Sequence, residues 1–247
     1  MVQNPLEPHP VIPEFYSERA QRLPFVRDLF NTTAPHYDAI NRVFSLGSGR
    51  RYRRQCLLRS GLRPGMRLID VAIGTGLLAR EALSITESRS NVIGVDLSEG
   101  MLAIARDKLG ISLIQGTAEA LPLADEIADF VTMGYALRHV SDLAATFREL
   151  YRVLRRGGTV LLLEIGKPSK RLKHVLVSTY LGRIVPFLCR LTTGQGQAQA
   201  LMQYYWATIE NCVPVEIVLQ AMRDGGFQDA QCKVDLDLFR SFVGRKW

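Results

Sequence analysis

The stretch around residue 74 contains residues whose types and spacing suit the binding of a nucleoside. Gly74, Thr75 and Gly76 directly follow the apolar run "LIDVAI". A buried strand therefore enters a tight turn whose glycines allow a positive φ and let a ligand approach the backbone. Asp70 lies within that run, and Asp96 is at the end of the next one, 20 residues beyond Gly76. A carboxylate at the end of the second strand can bind both hydroxyls of a ribose.

The ligand of this loop is either a dinucleotide or another nucleoside cofactor. The spacing Gly74-x-Gly76-x-x-Ala79 fits a dinucleotide fingerprint, whereas a Walker loop is excluded because no Gly-Lys-Ser/Thr follows. Asp70 favours the other nucleoside, because it would repel a pyrophosphate and attract the ammonium and sulfonium groups of S-adenosyl-L-methionine. A structural role for Asp70, capping nearby backbone N–H groups, is the alternative.

Alternating apolar runs and amphipathic stretches must position these residues. The predicted strands are "RLIDVAI", "NVIGVDL", "ISLIQG", "ADFVTMGYA" and "GTVLLLEIG", and the helices between them are "LLAREALSI", "SEGMLAIARDKL" and "SDLAATFRELYRVLRR". Strands that are nearly all apolar and separated by helices indicate a parallel sheet covered on both faces. Ser98 and Ser141 are predicted to cap two of the helices, and Gly157 and Gly158 to end the last of them.

The order of these elements predicts a single domain over residues 1–247. Residues 1–60 are expected to form a helical cap with a mobile, proline-rich start, and residues 61–167 to form the cofactor-binding core. Residues 168–212 are expected to add a mostly helical insertion over the substrate, with a turn at "TTGQGQ". Residues 213–247 are expected to hold a helix closed by two glycines, followed by a pair of strands.

The formal net charge of +7 is concentrated in two basic stretches, "GRRYRRQ" (49–55) and "KPSKRLKH" (167–174). Each is either a solvated helix face or a surface for anionic phospholipid headgroups, where a well-placed basic residue contributes about 1 kcal/mol. Nucleic acid is disfavoured as a partner because the runs are short and no recognised nucleic-acid module is present. We therefore expect a small-molecule partner, and contact with an anionic membrane stays open.

Targeting and metal-binding signals are both missing from the sequence. The first residues lack the basic and apolar regions of a secretory signal, and the stretch "VLVSTYLGRIVPFLCRL" is broken by Arg183 and Pro186. The four cysteines lie far apart, in no pattern typical of a metal site or a disulfide. We therefore expect no metal and a cytoplasmic location, with peripheral binding at the inner face of the membrane left open.

From residue 30 onward the chain resembles the ubiquinone/menaquinone biosynthesis C-methyltransferases, a family of class I S-adenosylmethionine-dependent methyltransferases. The matching stretches include "FNTTAPHYDAINRVFSLGSGRRYRR", "DVAIGTGLLA", "GVDLSEGML", "GTAEALPLAD" and "ALRHVSD". "HYDAINRVFSLG" and "ALRHVSD" are the most specific matches. The resemblance implies an α/β Rossmann-like fold with a mostly parallel seven-stranded sheet, helices on both faces and an added helical cap.

The resemblance also implies which residues bind the cofactor. The glycine loop would wrap the methionyl part, Asp96 would hold the ribose, and Tyr37 would fold over the amino-acid end, unless Tyr37 only packs under the cap. At the position of Thr117 the family usually has Asp or Asn, and at the position of Gly134 it usually has Ser. The full predicted set is Tyr37, Asp70, Gly74, Thr75, Gly76, Asp96, Leu97, Met101, Thr117, Ala118 and Gly134.

Three further residues are candidates for the chemical step. The resemblance points to Arg138, whose guanidinium cannot accept a proton but can stabilise a phenolate oxygen and order a water. A structural ion pair is the alternative. His139 has a pKa suited to a base, although the family usually has Asn there and a half-buried structural histidine is the alternative. Tyr135 is the third candidate for the substrate pocket.

Together these features predict a methyltransferase that methylates a carbon of an electron-rich quinol or phenolic ring in a prenylated quinone precursor. Methylation of another small molecule, at carbon or oxygen, is the main alternative. A dinucleotide oxidoreductase and an inactive methyltransferase-like scaffold are more remote alternatives. The identity of the acceptor and the existence of a homodimer stay open.

Overall fold

The computed structural model describes residues 5–45, 47–187 and 196–247, which form one seven-stranded sheet with helices on both faces. The strand order is β3-β2-β1-β4-β5-β7-β6, and all neighbours are parallel except those of β7, which is antiparallel to β5 and β6. The predicted Rossmann-like class is confirmed. The strands are β1 Leu68–Val71, β2 Val92–Asp96, β3 Ser112–Gln115, β4 Ala128–Gly134, β5 Leu154–Ile165, β6 Gln228–Asp235 and β7 Phe239–Arg245.

Helices precede, separate and cover these strands. The α-helices are α1 Arg22–Thr33, α2 Tyr37–Ser45, α3 Gly49–Arg59, α4 Leu77–Thr86, α5 Glu99–Leu109, α6 Leu143–Val153, α7 Arg171–Thr179, α8 Gly196–Asn211 and α9 Val215–Asp224. A π-helical turn, Tyr180–Ile184, follows α7, and a 3-10 turn, Leu137–His139, follows β4. The turn predicted at "TTGQGQ" lies outside the described residues, apart from its last two, which begin α8.

The central strands are apolar throughout because both faces of the sheet are covered. In β5, Val160 and Leu162 pack into the cluster under α6 and α9, whereas Leu161 and Leu163 pack into the cluster under α3, α4 and α5. Side chains of successive residues in a strand point to opposite faces, so a strand that is buried on both sides has no polar alternation. This arrangement leaves the ends of the strands as the place where polar groups gather.

Helix α6 differs from its predicted bounds at both ends. Its N-cap is Asp142, whose Oδ1 accepts a hydrogen bond from Ala144 N at 2.9 Å, so the prediction of Ser141 was wrong. The helix ends at Val153, before the glycine pair, because Leu154 is extended and pairs with Ala128 in the sheet. Ser98 is confirmed as the cap of α5, where its hydroxyl accepts from Met101 N at 3.1 Å.

The proline-rich start, expected to be mobile, is packed from Leu6 onward. Leu143 N donates to Leu6 O and Val213 N donates to Pro8 O, both at 2.8 Å. Tyr16 is buried against α1 and α8 in a third apolar cluster, which forms the cap above the strand ends. Composition alone does not show that these backbone groups meet partners far along the chain.

Candidate active site

The carboxyl ends of β1, β2 and β4 meet where the strand order reverses, and three adjoining cavities open there. Such a switch point is where open α/β sheets bind ligands. We call them the inner cavity (about 90 Å³, lined by Asp96 and Thr117), the small cavity (about 40 Å³, lined by Asp70 and Thr75) and the outer cavity (about 370 Å³, lined by Arg138). Tyr37 and Tyr135 line all three, so the cavities share a wall.

The glycine loop is held in place by the second-strand carboxylate. Gly74 and Gly76 have φ of 57° and 83°, as the tight turn requires. Asp96 Oδ2 accepts from Gly74 N at 2.7 Å, and its Oδ1 accepts from Ser98 N at 2.8 Å. Burial raises the pKa of Asp96 to about 6, against these hydrogen bonds, which lower it. Asp96 therefore fixes the loop while it also lines the inner cavity.

The inner cavity brings together most of the predicted cofactor residues. Its lining includes Gly74, Asp96, Leu97, Met101, Thr117, Ala118 and Gly134. Thr75 lies instead on the small cavity, where its hydroxyl donates to Asp38 Oδ1 at 2.5 Å and so connects the loop to helix α2. Gly76 lines none of these three cavities and acts as the N-cap of α4.

Asp70 is fully buried and keeps one oxygen without a partner. Its Oδ1 accepts from the Thr132 hydroxyl at 2.7 Å, whereas Oδ2 has no hydrogen-bond partner in the described part of the chain. Burial raises the pKa of Asp70 to about 7, against the Thr132 hydroxyl and the backbone N–H of Ala79, which lower it. An orphaned buried carboxylate oxygen is costly unless a ligand satisfies it. The donor that fits here is the ammonium group of S-adenosyl-L-methionine, so the residues present suit that cofactor.

Tyr37 lies where the three cavities meet, at the first turn of α2. Its hydroxyl accepts from the Tyr205 hydroxyl at 2.9 Å, and its ring packs edge-on against Phe30 with centroids 6.1 Å apart. The side chain is therefore both packed under the cap and exposed to the cavities. The two roles considered for Tyr37 are compatible with one another.

Arg138 lies at the wall of the outer cavity and forms the structural ion pair considered as the alternative. Its Nη1 donates to Glu164 Oε2 at 2.6 Å and to Tyr135 O at 2.9 Å, while its guanidinium lies 4.8 Å from the ring centre of Tyr205. Burial lowers the pKa of Arg138 and the Glu164 carboxylate raises it, with a net upward shift. Nε has no partner among the described residues, so a donor remains for a ligand.

His139 faces the inner cavity and is not part of the outer cavity's lining. Its ring stacks on Tyr204 and Tyr205, with centroids 5.3 and 5.7 Å away, and both ring nitrogens lack partners within the described residues. Burial, followed by the charge of Arg138, holds the pKa of His139 well below its usual range. The imidazole is therefore neutral and a poor proton acceptor at pH 7.

Tyr135 combines a strained backbone with a position between the cavities. Its φ is 61°, in the left-handed region that a bulky residue rarely adopts, and its N donates to Leu163 O at 2.6 Å. The Arg53 guanidinium lies 5.5 Å from its ring centre. Burial raises the pKa of Tyr135 to about 12, so its hydroxyl stays protonated at neutral pH.

Several residues of the outer cavity were missed at the sequence level. Helices α2 and α3 and the turn between β6 and β7 supply Asn41, Tyr52, Arg53, Leu236 and Phe239. Helix α3 was interpreted as a solvated or membrane-facing basic stretch, yet Arg53 is buried. The signal was available, because Arg53 shares one helix face with the apolar Cys56 and Leu57.

The described ranges contain neither a metal-binding cluster nor a membrane-spanning helix. No three His, Cys, Asp or Glu side chains there are grouped so that they could hold a metal ion. No helix among the same residues has the length and hydropathy needed to cross a membrane.

Comparison with known proteins agrees with the geometry of the site. Residues 16–235 match the model of the ubiE/COQ5 methyltransferase family. Proteins named ubiquinone/menaquinone biosynthesis C-methyltransferase UbiE, from Shewanella sp. (strain ANA-3) and Shewanella frigidimarina, are each 32% identical over 218 residues, covering 85% of this chain and 86% of theirs.

Solved structures show the same fold at lower identity. A methyltransferase of Thermotoga maritima superposes with a TM-score of 0.62 at 22% identity, covering 90% of this chain and 99% of its own. Phosphoethanolamine N-methyltransferase 2 of Haemonchus contortus, solved with S-adenosyl-L-methionine, superposes with a TM-score of 0.56 at 18% identity, covering 79% of this chain and 52% of its own. The chain belongs to the ubiE/COQ5 methyltransferase family and is an S-adenosyl-L-methionine-dependent methyltransferase.

Proposed function

We propose that this enzyme methylates a ring carbon of a quinol in a prenylated quinone precursor. The observation that supports this most is the outer cavity of about 370 Å³, which adjoins the cofactor residues through the shared wall of Tyr37 and Tyr135. Its lining combines aromatic rings with the buried guanidinium of Arg138. The names of the Shewanella relatives, which are C-methyltransferases of ubiquinone and menaquinone biosynthesis, point to the same acceptor class.

In this proposal Arg138 stabilises the acceptor oxygen that becomes negative. S-Adenosyl-L-methionine supplies an electrophilic methyl group on its sulfonium. A ring carbon attacks efficiently only when a hydroxyl on the same ring carries negative charge, and the Arg138 cation favours that charge in a site that excludes water. Glu164 holds the guanidinium in position, so little reorganisation is needed as charge develops.

Neither His139 nor Tyr135 serves as the base in this proposal. The pKa of His139 is lowered by burial and the pKa of Tyr135 is raised by burial, so both are neutral at pH 7. We assign the proton of the quinol hydroxyl to a water that Arg138 orders. When the methyl group has moved from sulfur to the ring carbon and S-adenosyl-L-homocysteine is the leaving group, the hydrogen on that carbon moves to the ring oxygen and restores the aromatic ring. The two aromatic residues shape the wall between methyl donor and acceptor, where a separation of roughly 3–3.5 Å between reacting atoms is required.

We also propose that α7 rests on an anionic membrane, from which a prenylated acceptor enters. No side chain of α7 is buried, and Leu172 and Leu176 are 73% and 61% exposed beside Arg171 and Lys173. Lys173 Nζ donates to Leu236 O at 3.4 Å, and Leu236 lines the outer cavity. An exposed apolar face with flanking cations suits the headgroup region of a bilayer.

In this proposal the other basic stretch is not part of the membrane surface. Within α3, Arg50 pairs with Glu81 at 3.0 Å, Arg54 donates to Ser84, and Arg53 is buried. The fraction of protein that sediments with anionic vesicles should therefore be lower for Leu172→Gln and for Lys173→Gln than for the wild type, and unchanged for Arg54→Gln. Binding of the wild type should decrease as the salt concentration rises. Equal sedimentation with neutral and anionic vesicles would argue against the membrane surface.

The acceptor is best identified by isotope transfer. The protein is incubated with lipid extracts and deuteromethyl S-adenosyl-L-methionine, and the extracts are examined by mass spectrometry. We expect a three-deuterium label on the ring of a prenylated quinol. A label on a water-soluble phenol or on an oxygen atom would favour the alternative acceptor class instead.

A further inference from the structure

Arg53 is a buried cation that has no anionic partner in the described part of the chain. It lies on α3 with only 8% of its surface exposed. Its guanidinium lies 5.5 Å from the centre of the Tyr135 ring. Arginine is almost never buried without a paired charge, because removing it from water is costly. A charge of this kind is retained where a ligand supplies the counter-ion.

The small cavity contains a second unsatisfied charge, of opposite sign. Asp70 and Arg53 both line it, and each is more than nine-tenths buried. The two groups do not form an ion pair, although the charge of Arg53 lowers the pKa of Asp70 against the larger effect of burial. Asp70 Oδ2 has no hydrogen-bond partner among the described residues. The cavity therefore presents a carboxylate with one free oxygen and a guanidinium without an ion pair in the described part of the chain.

We propose that Arg53 binds the α-carboxylate of S-adenosyl-L-methionine while Asp70 binds its α-ammonium group. An amino-acid end carries both charges on one carbon, so a cavity with a separate carboxylate and guanidinium matches it. A guanidinium is also the cation whose geometry pairs best with a carboxylate. The cap helix α3 thus contributes to a cofactor site that is otherwise built from strand ends.

Arg53 also lines the outer cavity, which offers a second source for the same ligand chemistry. An oxygen of the acceptor could then be its counter-ion. We favour the cofactor carboxylate because the orphaned Asp70 oxygen lies in the small cavity, whereas Arg138 already supplies a buried cation to the outer one. A binding experiment without acceptor separates these two sources.

The test compares two ligands that differ only in the carboxylate. Calorimetry is carried out with S-adenosyl-L-methionine and with decarboxylated S-adenosylmethionine, on the wild type and on Arg53→Met. For the wild type we expect the carboxylate to strengthen binding on the order of 30-fold, as charged hydrogen bonds do. For Arg53→Met this difference should shrink to about threefold or less, with the decarboxylated ligand bound as in the wild type.

Arg54→Met is the matched control, because it removes the adjacent, exposed cation of the same helix. It should keep the wild-type difference between the two ligands. Equal weakening of both ligands by Arg53→Met would overturn the proposal in favour of a structural role. Unchanged cofactor binding with a higher KM for the acceptor would assign Arg53 to the acceptor oxygen instead.

These outcomes do not depend on the proposed acceptor, because no acceptor is present in the binding measurement. Thermal unfolding of the free protein provides a further readout. If the counter-ion of Arg53 is supplied by a ligand, its charge is unpaired in the free protein and does not stabilise the fold. Arg53→Met should then unfold at the same temperature as the wild type or at a higher one. Substantial destabilisation of Arg53→Met without ligand would point to a structural role.

Discussion

The inner and outer cavities adjoin each other but are built in different ways. The inner cavity is lined mainly by residues at and just after the ends of the parallel strands β1–β4, with α1 and Tyr37 closing one side. The outer cavity is lined by α2, α3, α8 and the turn between β6 and β7, which lie far apart along the chain. Most of the proposed cofactor residues are thus placed by the order of the strands, with Tyr37 and Arg53 added from the cap helices, whereas most of the outer cavity depends on the packing of distant elements.

The largest effect should come from the outer cavity, at Arg138. Arg138→Lys keeps the charge but loses the planar guanidinium, in which Nη1 alone serves Glu164 and Tyr135 O and Nε is left as a donor for the acceptor. We expect kcat to fall on the order of 100-fold with little change in either KM, as for an interaction made mainly in the transition state. Steady-state kinetics with the acceptor measure this.

The control for Arg138→Lys is Arg155→Lys, which alters a half-exposed pair with Asp129 far from the cavities. It should leave kcat unchanged. A near-normal kcat for Arg138→Lys would show that Arg138 has only the structural role of pairing with Glu164. The outer cavity would then contain no assigned group that stabilises the charge of the acceptor.

A smaller effect is expected on the inner side, at Asp96. Asp96→Ala removes the acceptor for ribose hydroxyls and also releases Gly74 N from its hydrogen bond. Affinity for S-adenosyl-L-methionine should fall by at least about tenfold, at 1.4 kcal/mol per decade. Calorimetry tests this against Asp107→Ala, an exposed carboxylate of α5. Wild-type affinity in a folded Asp96→Ala would remove Asp96 from the cofactor site.

The pH dependence of cofactor binding should show whether the ionisation of Asp70 controls affinity for the cofactor. Its pKa is raised to about 7 in the free protein, and the cofactor's ammonium group favours the ionised form. Between pH 6 and pH 7.5 affinity should therefore rise by about eightfold from the ionisation of Asp70, with a further rise of about twofold from Asp96. Asp70→Asn should bind weakly and retain only the shallower dependence from Asp96. A steep rise that persists in Asp70→Asn would exclude Asp70 as its source.

The smallest effect is expected at His139, which faces the inner cavity without a polar partner among the described residues. His139→Asn should keep kcat within about threefold, because the buried imidazole is a poor proton acceptor. In neither the wild type nor His139→Asn should kcat fall between pH 7 and pH 6 because of this residue, since the pKa of His139 is held well below that range. An inactive His139→Asn, together with a wild-type kcat that falls as the pH drops from 7 to 6, would show that His139 is the base.

These contrasts match what the sequence could and could not predict. Asp70 and Asp96 were identified because a buried strand followed by a turn places its last carboxylates at the sheet edge. Arg53 was missed because the basic stretch was interpreted as a whole, although Arg53 shares one helix face with the apolar Cys56 and Leu57. The first residue of α6 was missed by one position, because Asp142 and Ser141 are equally good caps and only the backbone decides between them.

The position of β7 has a consequence for how the chain is assembled. This strand comes last in chain order but lies between β5 and β6, pairing with both. The edge of β5 therefore stays open during synthesis until β7 has left the ribosome, and β6 has no partner in the sheet before then. An open strand edge is a template for association between nascent chains. β7 thus completes the pairing of both β5 and β6, and the exposure of their edges to other chains ends when it joins the sheet.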